Sequence, residues 1–308
     1  MSLTGLDALS LFLCGLLAMV VGGNNLSAVS GTIIGTGIVR KRTGILIAII
    51  GYLLGLAIEG PRLFSVRQIF LPNETVLDVL SILVATLIVF AIGEMSKVPI
   101  SLSKSLTGAI IGTSIAIGLF TYKSYLTLVL AFWFLTPIIA TLLGVVLIRL
   151  DDRYSPRNTW KKLAILRGGL LLAAFFSAYV LGSNTLGLIA GVPNNQYTAA
   201  SLIVGLGSVI GAFTLGRGTL RRLTEGMFTL RYPNAFFSQL VGAGAVELAS
   251  QFGVPLAITE TVSSGIIGSG LGRKMRFMNT RSVFVIVTSW VMSPAIGFAA
   301  GYILRRLL

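Results

Sequence analysis

Apolar stretches of membrane-crossing length recur ten times along this chain, at residues 7–38, 44–59, 76–93, 98–119, 125–149, 165–191, 199–215, 233–252, 254–271 and 281–305. A hydrocarbon layer of about 30 Å is crossed by about 20 such residues in a helix. Inside lipid the backbone has no water to bond, so each stretch is expected to satisfy its own N–H and C=O groups as a helix. Composition leaves no soluble body beside them. Of the 308 residues 55% are hydrophobic and 11% charged, with a mean hydropathy of +0.91, whereas a soluble domain carries about 25% charged residues. The sequence therefore predicts an all-α integral membrane protein, multi-pass in the cell membrane, with about ten to twelve transmembrane segments.

The net charge is +14. In a soluble chain that excess would suggest nucleic acid, but here the basic residues cluster in short loops between apolar runs, the pattern that orients a chain in a bilayer. The expected surroundings are lipid, with no nucleic-acid partner. Cys14 is the single cysteine and lies within an apolar run, which excludes disulfides and zinc; histidine is absent, removing the usual proton shuttle. No basic leader or cleavage site precedes the first run, which reads as a retained span.

The strongly polar stretch from Arg149 to Arg167 divides the chain into a first repeat (1–150), a cytoplasmic linker (151–164) and a second repeat (165–308). Gly22-Gly23-Asn24-Asn25-Leu26 answers Gly182-Ser183-Asn184-Thr185-Leu186, and Gly51, Gly55 and Gly60 answer Gly207, Gly211 and Gly216. Val98-Pro99-Ile100-Ser101-Leu102-Ser103-Lys104 answers Val254-Pro255-Leu256-Ala257-Ile258-Thr259-Glu260; Ile110-Ile111-Gly112 answers Ile266-Ile267-Gly268; Trp133 and Pro137 answer Trp290 and Pro294. The matches keep one order at offsets of 156 to 160, the mark of a duplication. Arg40-Lys41-Arg42 is positive where its counterpart, 193–198, is uncharged, while the neutral loop 59–75 answers a loop of +3 at 217–231. Ten crossings put +14 on one side and +2 on the other, so the halves are expected to lie inverted, with both termini outside.

Inverted repeats bind substrate where helices break near the midplane. Two pairs of segments fit that description. In Gly22–Ser30 and Gly182–Gly191, glycines and Asn24, Asn25, Asn184 and Thr185 interrupt long spans. A break there would free amides and a helix N-terminus for an anion, and Asn can donate to an anion or offer a carbonyl to a cation. The opposing reading is that small residues and Asn simply pack helices together. In Pro99–Gly112 and Pro255–Gly268, a proline at a helix start is followed by hydroxyls: Ser101, Ser103, Ser105 and Thr107, then Thr259, Thr261, Ser263 and Ser264. That describes an oxyanion cradle, unless the hydroxyls bond back to their own helix. Lys104 and Glu260 occupy equivalent positions within these segments. Lys104 suits an anion and Glu260 a coupling proton or sodium; alternatively the two pair with each other and fix packing. Asp78 and Glu247, also within spans, read as structural or interfacial.

At these residues the chain resembles the inorganic phosphate transporter (PiT, or phosphate permease) family. That family carries Gly-Ala-Asn-Asp-Val-Ala-Asn once per half, then Pro-Val-Ser-Thr-Thr-His running into Gly-Ala-Ile-Ile-Gly. Gly22-Gly23-Asn24-Asn25 and Gly182-Ser183-Asn184-Thr185 are similar to the first signature. Pro99-Ile100-Ser101-Leu102-Ser103-Lys104 with Gly108-Ala109-Ile110-Ile111-Gly112, and Pro255 to Gly268, are similar to the second, and the Trp-x-x-x-Pro pattern recurs at Trp133 and Trp290. The resemblance implies a helical inverted repeat, dimeric, moving phosphate by sodium or proton symport, with no further cofactor. It implies substrate contacts from Asn24, Asn25, Ser101, Ser103, Asn184, Thr185 and Thr259 with their neighbours Ser105 and Thr261; the buried charges add Lys104 to that candidate substrate site, and Glu260, with Asn25 and Thr185, forms the candidate coupling-ion site. Two departures matter. The signature aspartates are Asn25 and Thr185 here, and the histidine positions hold Lys104 and Glu260. Neutral groups beside a lysine suit a fully ionised anion such as sulfate, because phosphate near neutral pH still has a proton to donate to a carboxylate.

The sequence thus predicts a secondary transporter for an inorganic oxyanion, phosphate first, cation-coupled by alternating access. A proton-coupled sulfate permease of the same family is the second reading. An intramembrane enzyme would need a clustered nucleophile and base, which the chain lacks; a membrane scaffold would bind no anion at all.

Overall fold

Long apolar runs with few breakers dictate helices, and every regular element among the described residues is helical. The computed structural model describes residues 5–95, 100–120, 123–154, 156, 158–193, 197–215, 232–273 and 280–308. In chain order the helices are α1 (Gly5–Asn24), α2 (Leu26–Gly35), α3 (Lys41–Ile58), α4 (Phe64–Phe70), α5 (Val76–Met95), α6 (Leu102–Ala116) and α7 (Lys123–Tyr154). After the polar stretch come α8 (Thr159–Leu181), α9 (Gly187–Ala190), α10 (Tyr197–Thr214), α11 (Tyr232–Gln251), α12 (Ile258–Gly272) and α13 (Thr280–Leu307).

Seven helical segments among the described residues are long and apolar enough to cross a membrane: Gly5–Gly35, Lys41–Ile58, Val76–Gly93, Lys123–Tyr154, Thr159–Ala190, Tyr197–Thr214 and Val287–Leu307. The ten apolar stretches therefore do not all become such spans. Stretches 98–119 and 254–271 form α6 and α12, of 15 residues each. At 1.5 Å per residue each is about 22 Å long, short of the hydrocarbon thickness.

The sequence suggests that the long spans break at Gly22–Ser30 and Gly182–Gly191. In the structure the regular α-helix is interrupted at both places, but narrowly. Between α1 and α2 only Asn25 departs from the helix; its N–H still donates to Val21 O at 2.9 Å, and Val29 N–H donates to Asn25 O at 3.2 Å. In the second half, Gly182–Leu186 forms a π-helical turn that continues directly into α9. One polar residue or one widened turn is a narrow interruption, and α2 starts at Leu26 with no side chain capping it.

Packing interlocks the segments before residue 150 with those after 165. The most extensive contacts between the two stretches are α6 with α13, α1 with α10, α7 with α12, and α3 with α8; α11 also packs closely on α12 within the second. Lipid tails are as apolar as leucine, so close backbone approach at small residues holds such helices together. A Cβ at Gly112 on α6 would overlap Phe298 O on α13, and one at Gly268 on α12 would overlap Thr141 O on α7. The polar stretch closes the other side. Asn158 Oδ1 accepts from the N–H groups of Trp160 and Lys161 at 3.0 and 3.1 Å, capping α8. Asp151 and Asp152 at the end of α7 take Lys162 at 2.9 Å and Arg273 at 2.6 Å.

Candidate functional site

The π-helical turn after α8 places Ser183, Asn184 and Thr185 in the interior, all fully or almost fully buried. Asn184 is bonded on both ends of its amide. Its Nδ2 donates to Ser250 Oγ at 2.8 Å and Val254 O at 3.0 Å, while its Oδ1 accepts from Leu256 N–H at 2.9 Å. It thereby fixes the extended segment that leads into α12. Thr185 Oγ1 lies 3.0 Å from Ser103 Oγ, in the first turn of α6. The second-half signature and the first-half hydroxyl segment therefore meet.

Ser101 caps α6, its Oγ accepting from Lys104 N–H at 3.4 Å, and its own N–H donates to Ser293 Oγ on α13 at 2.9 Å. Ser105 Oγ donates to Ser293 O at 3.2 Å, so it faces α13. Val98 and Pro99 lie outside the described residues. On the other side, Pro255 does not start α12. It precedes the cap residue Ala257 in extended chain, and its carbonyl accepts from Trp133 Nε1 at 2.8 Å. Several hydroxyls bond back to their own helix: Thr107 to Ser103 O at 2.8 Å, Ser264 to Glu260 O at 2.9 Å, and Thr261 to Ile258 O at 3.1 Å. Asn24, Asn25, Thr259 and Ser263 are half-buried, whereas Ser103, Asn184 and Thr185 are closed from solvent.

Lys104 and Glu260 form an ion pair, with Nζ 2.8 Å from Oε1 and 2.7 Å from Oε2; their side chains are 3% and 1% exposed. Lys104 Nζ also lies 5.4 Å from the centre of the Trp133 ring. The pair borders a cleft of about 880 Å³ between α6, α7, α12 and α13, whose walls are otherwise almost wholly apolar and include Trp133, Pro137, Trp290 and Pro294. Asp78, within a span, is structural: it accepts from Thr75 N–H at 2.7 Å and Thr75 Oγ1 at 2.8 Å and pairs with Arg305. Glu247 bonds Gln251. Among the described residues, no three His, Cys, Asp or Glu side chains converge as a metal site.

Sequence reasoning missed three polar residues. Ser293 holds the start of α6, Ser250 holds Asn184, and Gln239 on α11 donates to Ala28 O at 2.6 Å and to Thr32 Oγ1 at 3.0 Å on α2. Their only signal was one or two polar side chains inside an apolar run. Ser293 stood beside a repeated Trp-x-x-x-Pro pattern that carried no assigned role.

Comparison with known proteins gives concordant findings. The profile described as "Phosphate transporter family" matches residues 21–167 and again 151–301. The chain is 27% identical over 304 residues to "Putative phosphate permease" of Methanocaldococcus jannaschii, covering 97% of each chain. It is also 27% identical over 306 residues to "Sulfate permease CysP" of Bacillus subtilis, covering 94% of this chain and 84% of that one. A solved structure entitled "The sodium-dependent phosphate transporter" superposes with a TM-score of 0.84 over 99% of both chains, at 17% identity, so the two share a fold.

Proposed function

Because this chain belongs to the phosphate transporter family, we propose that it is a secondary transporter of an inorganic oxyanion, phosphate first, working by alternating access in the cell membrane. What supports this most is one convergence: Thr185, Ser103 and the Asn184-bonded approach to α12 come together at two helix starts. Buried hydroxyls beside the positive ends of α6 and α12 suit a tetrahedral oxyanion. The proposed substrate site comprises Asn24, Asn25, Ser101, Ser103, Lys104, Ser105, Asn184, Thr185, Thr259 and Thr261. Carrying an anion into a negative-inside cell costs about 2.3 kcal/mol per charge per 100 mV, so a coupled cation, proton or sodium, belongs to the same proposal; Asn25, Thr185 and Glu260 are its candidate residues.

The architecture proposed for this cycle is an inverted repeat, 1–150 and 165–308 joined by the linker 151–164, assembling as a homodimer. Equivalent contacts favour the repeat. Gly112 rests on Phe298 as Gly268 rests on Thr141, residues related by the same offset that relates the sequence motifs. Helices α6 and α12, too short to span, fit the re-entrant segments of such a fold.

Sulfate is the second reading, and one observation favours it. Glu260 is engaged by Lys104 rather than open to accept phosphate's proton, and Asn25 and Thr185 add no carboxylate. Competition binding of potassium phosphate against potassium sulfate at two pH values, with and without sodium, separates the readings. Phosphate displacing sulfate supports the first and the reverse supports the second. Binding of neither anion overturns the transport site.

A further inference from the structure

We propose that Lys104 and Glu260 form a charge-exchange latch, in which the arriving anion replaces Glu260 as the partner of Lys104 and the released carboxylate takes up a proton that travels with the anion. This deepens the oxyanion-transport reading and rests on it.

The geometry begins with position. Lys104 and Glu260 are 156 residues apart, at equivalent places in the two similar segments, yet they touch. Equivalent residues of two halves can meet only where the halves themselves meet, so the pair ties the starts of α6 and α12 together. Each sits in the first turn of its helix. A carboxylate is favoured at that positive end and an ammonium is disfavoured, so α12 supports Glu260 while α6 gives Lys104 no help. Lys104 therefore depends on an external negative charge, and it sits beside Ser103, which meets Thr185. A long, rotatable lysine can pass from one negative partner to another held at those hydroxyls.

The other half of the exchange follows from burial. Glu260 is 1% exposed and its ionic partner is Lys104. Among the described residues, no other ionisable side chain lines the cleft that the pair borders. Of the elements packed against α12, α2 carries none. Those of α11 (Tyr232, Glu247), α8 (Lys161, Lys162, Arg167, Tyr179) and α7 (Lys123, Tyr125, Arg149, Asp151, Asp152, Arg153, Tyr154) stay off its walls. A carboxylate left there without its lysine is a buried unpaired charge, and such groups neutralise instead. The balance is simple. Glu260 carboxylate plus one proton from water becomes the carboxylic acid as the anion binds, and the proton leaves when Lys104 returns. No bond other than O–H forms or breaks.

The test is calorimetric titration of the full-length protein in detergent with potassium sulfate and with potassium phosphate, in buffers of different ionisation enthalpy. Heats that vary with buffer give the protons taken up per anion. Linkage predicts about one proton per sulfate bound by the wild type, and about one fewer per anion of either kind in Glu260→Gln. Lys104→Gln is expected to bind about tenfold more weakly, for loss of a charged hydrogen bond, and also without the extra proton. Sulfate binding to the wild type with no proton uptake overturns the latch, even if Glu260→Gln fails to fold; so does phosphate uptake of protons that is unchanged in Glu260→Gln. Binding of neither anion by the wild type overturns the transport reading itself, a result distinct from failure of the latch.

Discussion

At the scale of single residues, the interior is organised by polar side chains that bond in several directions. Asn184 serves three groups from one amide, and all of them are buried. Asn184→Leu strands Leu256 N–H and Val254 O, at about 1–3 kcal/mol for each group left unpaired. Thermal unfolding in detergent should show a clear fall in Tm; an unchanged Tm removes the bracing role. Thr185 and Ser103 differ in kind, since their hydroxyls bond each other and either can rotate to a ligand. Thr185→Val and Ser103→Ala should each weaken anion binding about tenfold, the worth of one hydrogen bond. Binding constants equal to wild type would remove these hydroxyls from the site. Asn184 and Thr185 were legible in the sequence because their motif occurs twice. Ser250 and Ser293 were not, because a serine in a helical run looks the same whether it bonds its own helix or another.

At the scale of elements, close helix contacts carry the architecture. Gly112 and Gly268 have backbone oxygens of α13 and α7 where a side chain would go. Gly112→Val and Gly268→Val should each cost about 1–3 kcal/mol, as overpacking does. Because the two contacts are equivalent, the losses should be similar, and a loss at one alone would count against equivalent packing. Gly168 on α8 is the contrast, with no atom within 4 Å of an added Cβ. Gly168→Ala should be neutral or stabilise by up to about 1 kcal/mol through helix propensity. Denaturation midpoints measured side by side decide all three. The helical nature of these elements was plain from the sequence. The extent of their interruptions was not, because Gly and Asn in a run announce both a break and a close contact; at Gly22 and Gly182 a neighbouring backbone fills the space beside the glycine, and the interruption that follows is one residue or one widened turn.

At the scale of the molecule, charge placement makes a prediction that no single contact does. If positive loops face the cytoplasm, Arg42 and Asn158 lie on one side and both termini on the other. Cys14 is fully buried, so labelling of introduced cysteines is read against a quiet background. Arg42→Cys and Asn158→Cys should react with a membrane-impermeant maleimide only from the cytoplasmic side, whereas Ser2→Cys should react only from outside. Labelling of Arg42→Cys and Ser2→Cys from one side would overturn the proposed threading. The interlocked pairing of α6 with α13 and α7 with α12 adds that neither half is expected to hold its packing without the other.

The medium, the helical class and the family could be read from the sequence, because apolar length, loop charge and doubled motifs are all local and survive without knowing what touches what. It also placed Lys104 and Glu260 at equivalent positions and offered two readings of them, as ligands or as each other's partners. It took the packed fold to show that they form an ion pair, that Thr185 meets Ser103 rather than a residue of its own half, and that Pro255 stands outside its helix to accept from Trp133. The physical reason is common to all three. Each is a contact across 82 to 156 residues of chain, set by how helices pack in three dimensions, and sequence spacing reports neighbours only along a single helix.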